Sequence, residues 1–131
     1  MRKSGLLHSE ILKELAALGH TQSLVIADAG FPVPPGVKLI DLAVSRGLPG
    51  FVDVLKAVLA EGVFEHYLYA GEIEEFNSSL FNQMYAMMGS KPCTVLSHDE
   101  LSRLAARANC VIRTGECTPF AAVVLIGGVS F

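Results

Sequence analysis

A chain of 131 residues is enough for one domain with a real core. At 51% hydrophobic and 18% charged residues it is too apolar to be disordered. The net charge of -3 gives no basic surface for nucleic acid or for an anionic membrane.

In chain order, Arg2 and Lys3 open like a signal peptide, but His8, Ser9, Glu10, Lys13 and Glu14 interrupt any apolar region behind them. The apolar spacing of Ile11, Leu12, Leu15, Ala16 and Leu18 predicts a helix over 9–18, with Gly19 as its C′ residue. Ser23 to Ala27 reads as a strand ending at Asp28. A Gly/Pro-rich loop follows over 30–36, then a short strand over 37–42. Pro49 is expected to open a second helix carrying Phe51, Val52, Val54, Leu55, Val58 and Leu59. Glu65 to Ala70 reads as a strand, Leu80 to Met88 as a third helix and Cys93 to Leu96 as a strand. Ser97 and Glu100 form a capping box for a fourth helix running to Arg107. Cys110 to Arg113 and Ala121 to Leu125 complete the strands.

Alternating strands and helices predict an α/β single domain, with layered helices around a central mixed β-sheet. The turn from Arg113 to Phe120 is too short for a helical crossover, so the last two strands are expected to run antiparallel. No stretch reaches the roughly 20 apolar residues of a membrane span. Pro119 to Val129 comes nearest and holds two glycines, Gly127 and Gly128. The apolar excess therefore points to a homo-oligomer rather than a membrane.

Cys93, Cys110 and Cys117 are an odd set without C-x-x-C spacing, which predicts reduced, mostly buried thiols in a cytoplasmic protein. His8, His20, His66 and His98 show no metal-ligand spacing. Nucleophile-elbow, P-loop and dinucleotide motifs are all absent. No metal or cofactor is expected.

What is left is polar residues at the ends of elements, where open α/β folds present side chains to a crevice. His20 follows a helix C-terminus, Asp28 follows a strand and His98 starts a capped helix. Each also has a plain structural role available. His20 could donate to the last helical carbonyls, Asp28 could close an Asx-turn and His98 could be a solvated first-turn residue.

Taken together, several blocks resemble the D-ribose pyranase family. They are Leu18-Gly19-His20, Asp28-Ala29-Gly30-Phe31-Pro32-Val33-Pro34, Ile40-Asp41-Leu42-Ala43 with Leu48-Pro49, and Ala70-Gly71-Glu72-Ile73 with Asn77. The most specific block is the tail, Ile112-Arg113-Thr114-Gly115-Glu116-Cys117-Thr118-Pro119, continued by Gly128-Val129-Ser130-Phe131. The resemblance implies a decamer that converts free ribose between pyranose and furanose forms. It places the catalytic histidine on His20 and sugar-binding residues on Asp28, His98 and the segment Phe120-Ala121-Ala122. That segment is usually Tyr-Ala-Asn in the family. Here Phe120 lacks the phenol hydroxyl and Ala122 lacks the amide, which leaves open another monosaccharide such as fucose, or a sugar-binding homologue with impaired catalysis.

The implied reaction needs only proton transfers, a task for general acid–base catalysis worth about 10²–10⁴-fold. An imidazole near a helix C-terminus favours its charged form and one at an N-terminus its neutral form. His20 is accordingly the expected acid–base group and His98 a hydroxyl-binding partner, with Asp28 accepting hydrogen bonds from the sugar.

Overall fold

The computed structural model describes residues 1–131. In chain order the elements are α1 (Ser9–Ala17), β1 (Ser23–Ala27), β2 (Lys38–Asp41), α2 (Phe51–Glu61), β3 (Phe64–Ala70), α3 (Glu72–Phe76) and α4 (Ser78–Met88). They continue with β4 (Cys93–Leu96), α5 (His98–Leu104), a 3₁₀ turn (Ala105–Arg107), β5 (Cys110–Arg113) and β6 (Val123–Gly127).

The strands form one sheet in the order β2-β5-β1-β6-β3-β4. β1, β2 and β5 are mutually parallel, as are β3 and β4, while β6 pairs antiparallel with both β1 and β3. Five strands therefore point the same way, and β6 runs against them from the middle. The last two strands do run in opposite directions, as expected, but β1 lies between them and they are not paired.

Side chains alternate across the pleat. Leu24, Ile26, Cys110, Ile112, Val123 and Leu125 enter one core with residues of α1, α2 and α4. Val25, Ala27, Val111 and Val124 enter a smaller core on the other face, closed by Leu101 and Ala105. A sheet with apolar side chains on both faces needs a layer on each, and α5 with its 3₁₀ extension is the only helix over the second. The outer strand β4 keeps Cys93, Thr94 and Val95 exposed.

Several local expectations shift, each for a visible reason. Gly19 does occupy C′ of α1, but the left-handed backbone falls on Thr21, at φ 68°. Pro49 stands before Gly50, the N-cap of α2, so it precedes the helix rather than opening it. The helix expected over 80–88 lies intact within α4, and an additional short helix, α3, precedes it, set off by Asn77 at φ -151° and ψ 53°. The final strand starts at Val123 instead of Ala121, since a tight turn in which the Ala122 N–H donates to the Phe120 carbonyl (2.9 Å) occupies the residues before it. Of the three free thiols only Cys110 is buried, and burial pushes it up to about 12; Cys93 and Cys117 are exposed, contrary to expectation.

Candidate active site

Because five strands share a direction, their carboxyl ends gather along one rim of the sheet. Asp28 follows β1, Asp41 ends β2, Gly71 follows β3, Ser97-His98 follows β4 and Thr114 follows β5. The antiparallel β6 enters from the same rim, which brings Phe120, Ala121 and Ala122 there too. Ligands of open α/β sheets bind at such a rim, where the chain direction switches.

Asp28 forms the Asx-turn that its position allows: its Oδ1 accepts from the Gly30 N–H at 2.9 Å. The half-buried carboxyl is raised from its ordinary value, chiefly by burial, while the Gly30 N–H and the charge of His98 pull it down. It lines an open cavity of about 370 Å³ with Gly30, Glu116, Cys117, Thr118 and Pro119.

Glu116 organises this loop. Its carbonyl accepts from the Ala29 N–H (2.8 Å), and its carboxylate accepts from the Phe51 N–H at the start of α2 (3.1 Å) and from the Thr118 hydroxyl (2.9 Å). A carboxylate at a helix N-terminus satisfies an otherwise unpaired N–H and the positive end of the dipole. Asn77 completes the chain of bonds, its Nδ2 donating to Thr118 Oγ1 and to the Pro119 carbonyl, both at 2.9 Å. Gly115 has to be glycine, since an added Cβ would sit 2.3 Å from the Leu48 carbonyl oxygen. The tail is therefore pinned from three sides.

His98 is the first residue of α5, and its N–H donates to Glu72 (2.9 Å). The Ser97 hydroxyl accepts from the Glu100 N–H (3.2 Å) and donates to the Glu100 carboxylate (3.0 Å), so the expected cap is present. The imidazole meets Phe31 and Phe120 edge-on, with ring centres 6.4 and 5.3 Å away. Phe120 holds a left-handed backbone at φ 58°, a strained conformation for a bulky residue, and its other neighbour is the exposed ring of Phe76. Ala122 is enclosed in the smaller core at 1% exposure, so neither its methyl nor its main chain is open to a ligand in the single chain.

The structure thus brings Asp28, His98 and Phe120 to one rim. His20 is elsewhere: it precedes β1, at the opposite end of a strand about 16 Å long. Its Nε2 lies 3.0 Å from both carboxylate oxygens of Glu65, which leads β3 on that far edge. Neither α1 nor its last carbonyls engage the ring; its partner is Glu65. Sequence reasoning did not find Glu65, 45 residues away, and only strand register could have. It quoted Glu116 and Asn77 within motifs without giving them a task. No three His, Cys, Asp or Glu side chains come together as a metal-ligand set.

A D-ribose pyranase of Laribacter hongkongensis is 44% identical over 131 residues, covering the whole of both chains. The structure of Bacillus subtilis RbsD complexed with D-ribose is 43% identical and matches at a TM-score of 0.97 over the full length of both. A fucose mutarotase of Streptococcus pneumoniae, solved with L-fucose, shares the fold at 21% identity and a TM-score of 0.78, covering 95% of this chain and 94% of its own. The RbsD / FucU transport protein family model matches residues 1–130, and the chain belongs to that family.

Proposed function

We propose that this chain is a D-ribose pyranase, an isomerase that interconverts the pyranose and furanose forms of free ribose by proton transfer alone. The observation that carries the reading is the full-length match, at 43% identity and a TM-score of 0.97, to the RbsD complexed with D-ribose.

In the reaction a base takes the anomeric hydroxyl proton while an acid protonates the ring oxygen, breaking the bond between C1 and O5. The open-chain aldehyde rotates, and its 4-hydroxyl adds to C1 with the two proton transfers reversed. No electron changes hands and no atom is gained, so the step needs no cofactor. Asp28 accepts hydrogen bonds from ring hydroxyls and fixes the sugar's face. His98 binds a hydroxyl, and Phe120 closes the pocket with its ring. His20 is the acid–base residue; Glu65 takes Nε2–H and leaves Nδ1 to exchange the proton.

One chain cannot bring His20 to Asp28, so the reading includes an assembly in which a neighbouring copy supplies His20. We take that assembly to be a homodecamer in the cytoplasm. Exposed Phe76, Tyr85 and Val95 give it apolar contact surface, and no helix is long and apolar enough to cross a membrane.

Saturation-transfer NMR on ribose tests the activity. Magnetisation should pass between pyranose and furanose signals faster with the protein than without it, and undiminished by a chelator. An unchanged exchange rate would remove ribose as the substrate, and the same measurement on L-fucose would follow. Sedimentation of a lone monomer at micromolar concentration would remove the shared site.

A further inference from the structure

On α5 and the 3₁₀ turn that continues it, His98, Leu101, Ser102 and Ala105 follow one another at helical spacing, and Leu101 and Ala105 from that stripe are fully buried against the sheet. Two polar atoms on the same stripe, His98 Nδ1 and Ser102 Oγ, are shut off from solvent and bond to nothing in the protein. A buried polar atom without a partner is costly and rare, and two on one short helix call for a common cause. Serine in a helix commonly donates to the carbonyl four residues back, yet no such bond forms here.

The two residues are four apart, so their Cβ atoms stand about 5–6 Å from each other on the helix surface. Helical side chains lean toward the N-terminus, which carries Ser102 Oγ toward the imidazole. One atom is an O–H donor and the other, in a neutral ring, is a lone-pair acceptor. They are complementary, and each is the kind of partner the other lacks. The other ring nitrogen, Nε2, is not shielded in this way.

We infer that Ser102 is a positioning residue for His98: its hydroxyl, directly or through one water, donates to Nδ1 and holds the neutral imidazole as the Nε2–H tautomer. His98 then meets the sugar as a hydrogen-bond donor, while Asp28 across the rim meets it as an acceptor. A hydroxyl placed between them is recognised through both its lone pair and its proton. This assignment of a ligand to Nε2–H rests on the reading of the chain as a ribose pyranase; the tautomer itself does not.

The test uses ¹⁵N-histidine-labelled protein as it assembles, without sugar, at about pH 8.5, two units above the ordinary imidazole value. In the wild type the His98 ring should show a protonated Nε2 and an unprotonated, hydrogen-bonded Nδ1. Ser102→Ala should redistribute the proton between the two nitrogens, and Ser102→Thr should restore the wild-type pattern. In parallel, Ser102→Ala should weaken ribose binding by about 2- to 12-fold, with unchanged melting behaviour. A wild-type ring protonated at Nδ1, or a Ser102→Ala spectrum identical to the wild type, overturns the proposal. Because the tautomer is read without ribose, its outcome is separate from that of the exchange measurement on the wild type, which decides the function.

Discussion

His20 and Asp28 stand at opposite ends of β1, one before Ser23 and the other after Ala27, so no single chain holds both in one site. A shared site makes a complementation prediction. With ribose well below saturation, His20→Ala and Asp28→Ala assemblies should each lose most of their exchange activity. When the two variants are mixed, unfolded and reassembled together, intact sites should form wherever an Asp28-bearing copy meets a His20-bearing neighbour. Random mixing gives about a quarter of all sites, measured as recovered ribose exchange. No recovery from a properly reassembled mixture would rule out the shared site.

The individual variants separate chemistry from binding. His20→Ala should lower exchange by about 10²–10⁴-fold with ribose affinity within a few-fold. Asp28→Ala should weaken affinity by about 10- to 150-fold, as for loss of a hydrogen bond to a charged group. Glu65→Gln keeps an acceptor for Nε2–H but loses the charge, and an exposed pair of this kind predicts at most about a five-fold loss in exchange. Exchange NMR and titration calorimetry on the same samples report both quantities.

Burial raises the Asp28 carboxyl, so the folded chain holds that proton more tightly than the unfolded chain does. The sign follows from linkage: its favourable contribution is complete below the unfolded value and is lost as pH rises through the raised folded value. At neutral pH the ionised group therefore weighs against the fold. Asp28→Asn, which can still accept from Gly30, should raise the melting temperature at pH 7. That gain should fade as pH drops toward 3.8, the ordinary value of the group. Ribose affinity should fall, a trade of stability for function visible in a calorimetric pH series.

The tail variants should diverge. Phe120→Tyr adds a hydroxyl on a ring already beside His98 and should tighten ribose binding by about 2- to 12-fold. Ala122→Asn puts an amide where the methyl is fully enclosed, and should cost about 1–3 kcal/mol of stability unless the amide finds partners. Thermal melts and calorimetry of the two single variants, then of the double, decide the matter.

Much of this was legible in the sequence where local chemistry decides. The S-x-x-E pattern at Ser97 and Glu100 marks the start of α5 correctly, and the run Ser23 to Ala27 marks β1 to the residue. Asp28 and His98 stand out in the sequence because they abut those elements. The link between His20 and Glu65 was not, because it depends on how β3 lies two strands from β1 across β6. Nor was the break at Asn77, whose dihedral angles answer to bonds with Thr118 and Pro119 rather than to its neighbours in the chain. The residue types at the rim were visible in advance; which of them share a rim is a property of sheet order.

β6 is the last strand in chain order and the only one joining the β2-β5-β1 and β3-β4 portions of the sheet. Without residues 123–127 no strand hydrogen-bonds the two portions to each other, and only the packing of α2, α4 and α5 links them. A chain stopped before Val123 carries two half-sheets whose inner edges, at β1 and β3, are open to strangers. Loss of this one strand thus uncovers two sheet edges at once, each a template for pairing with another chain.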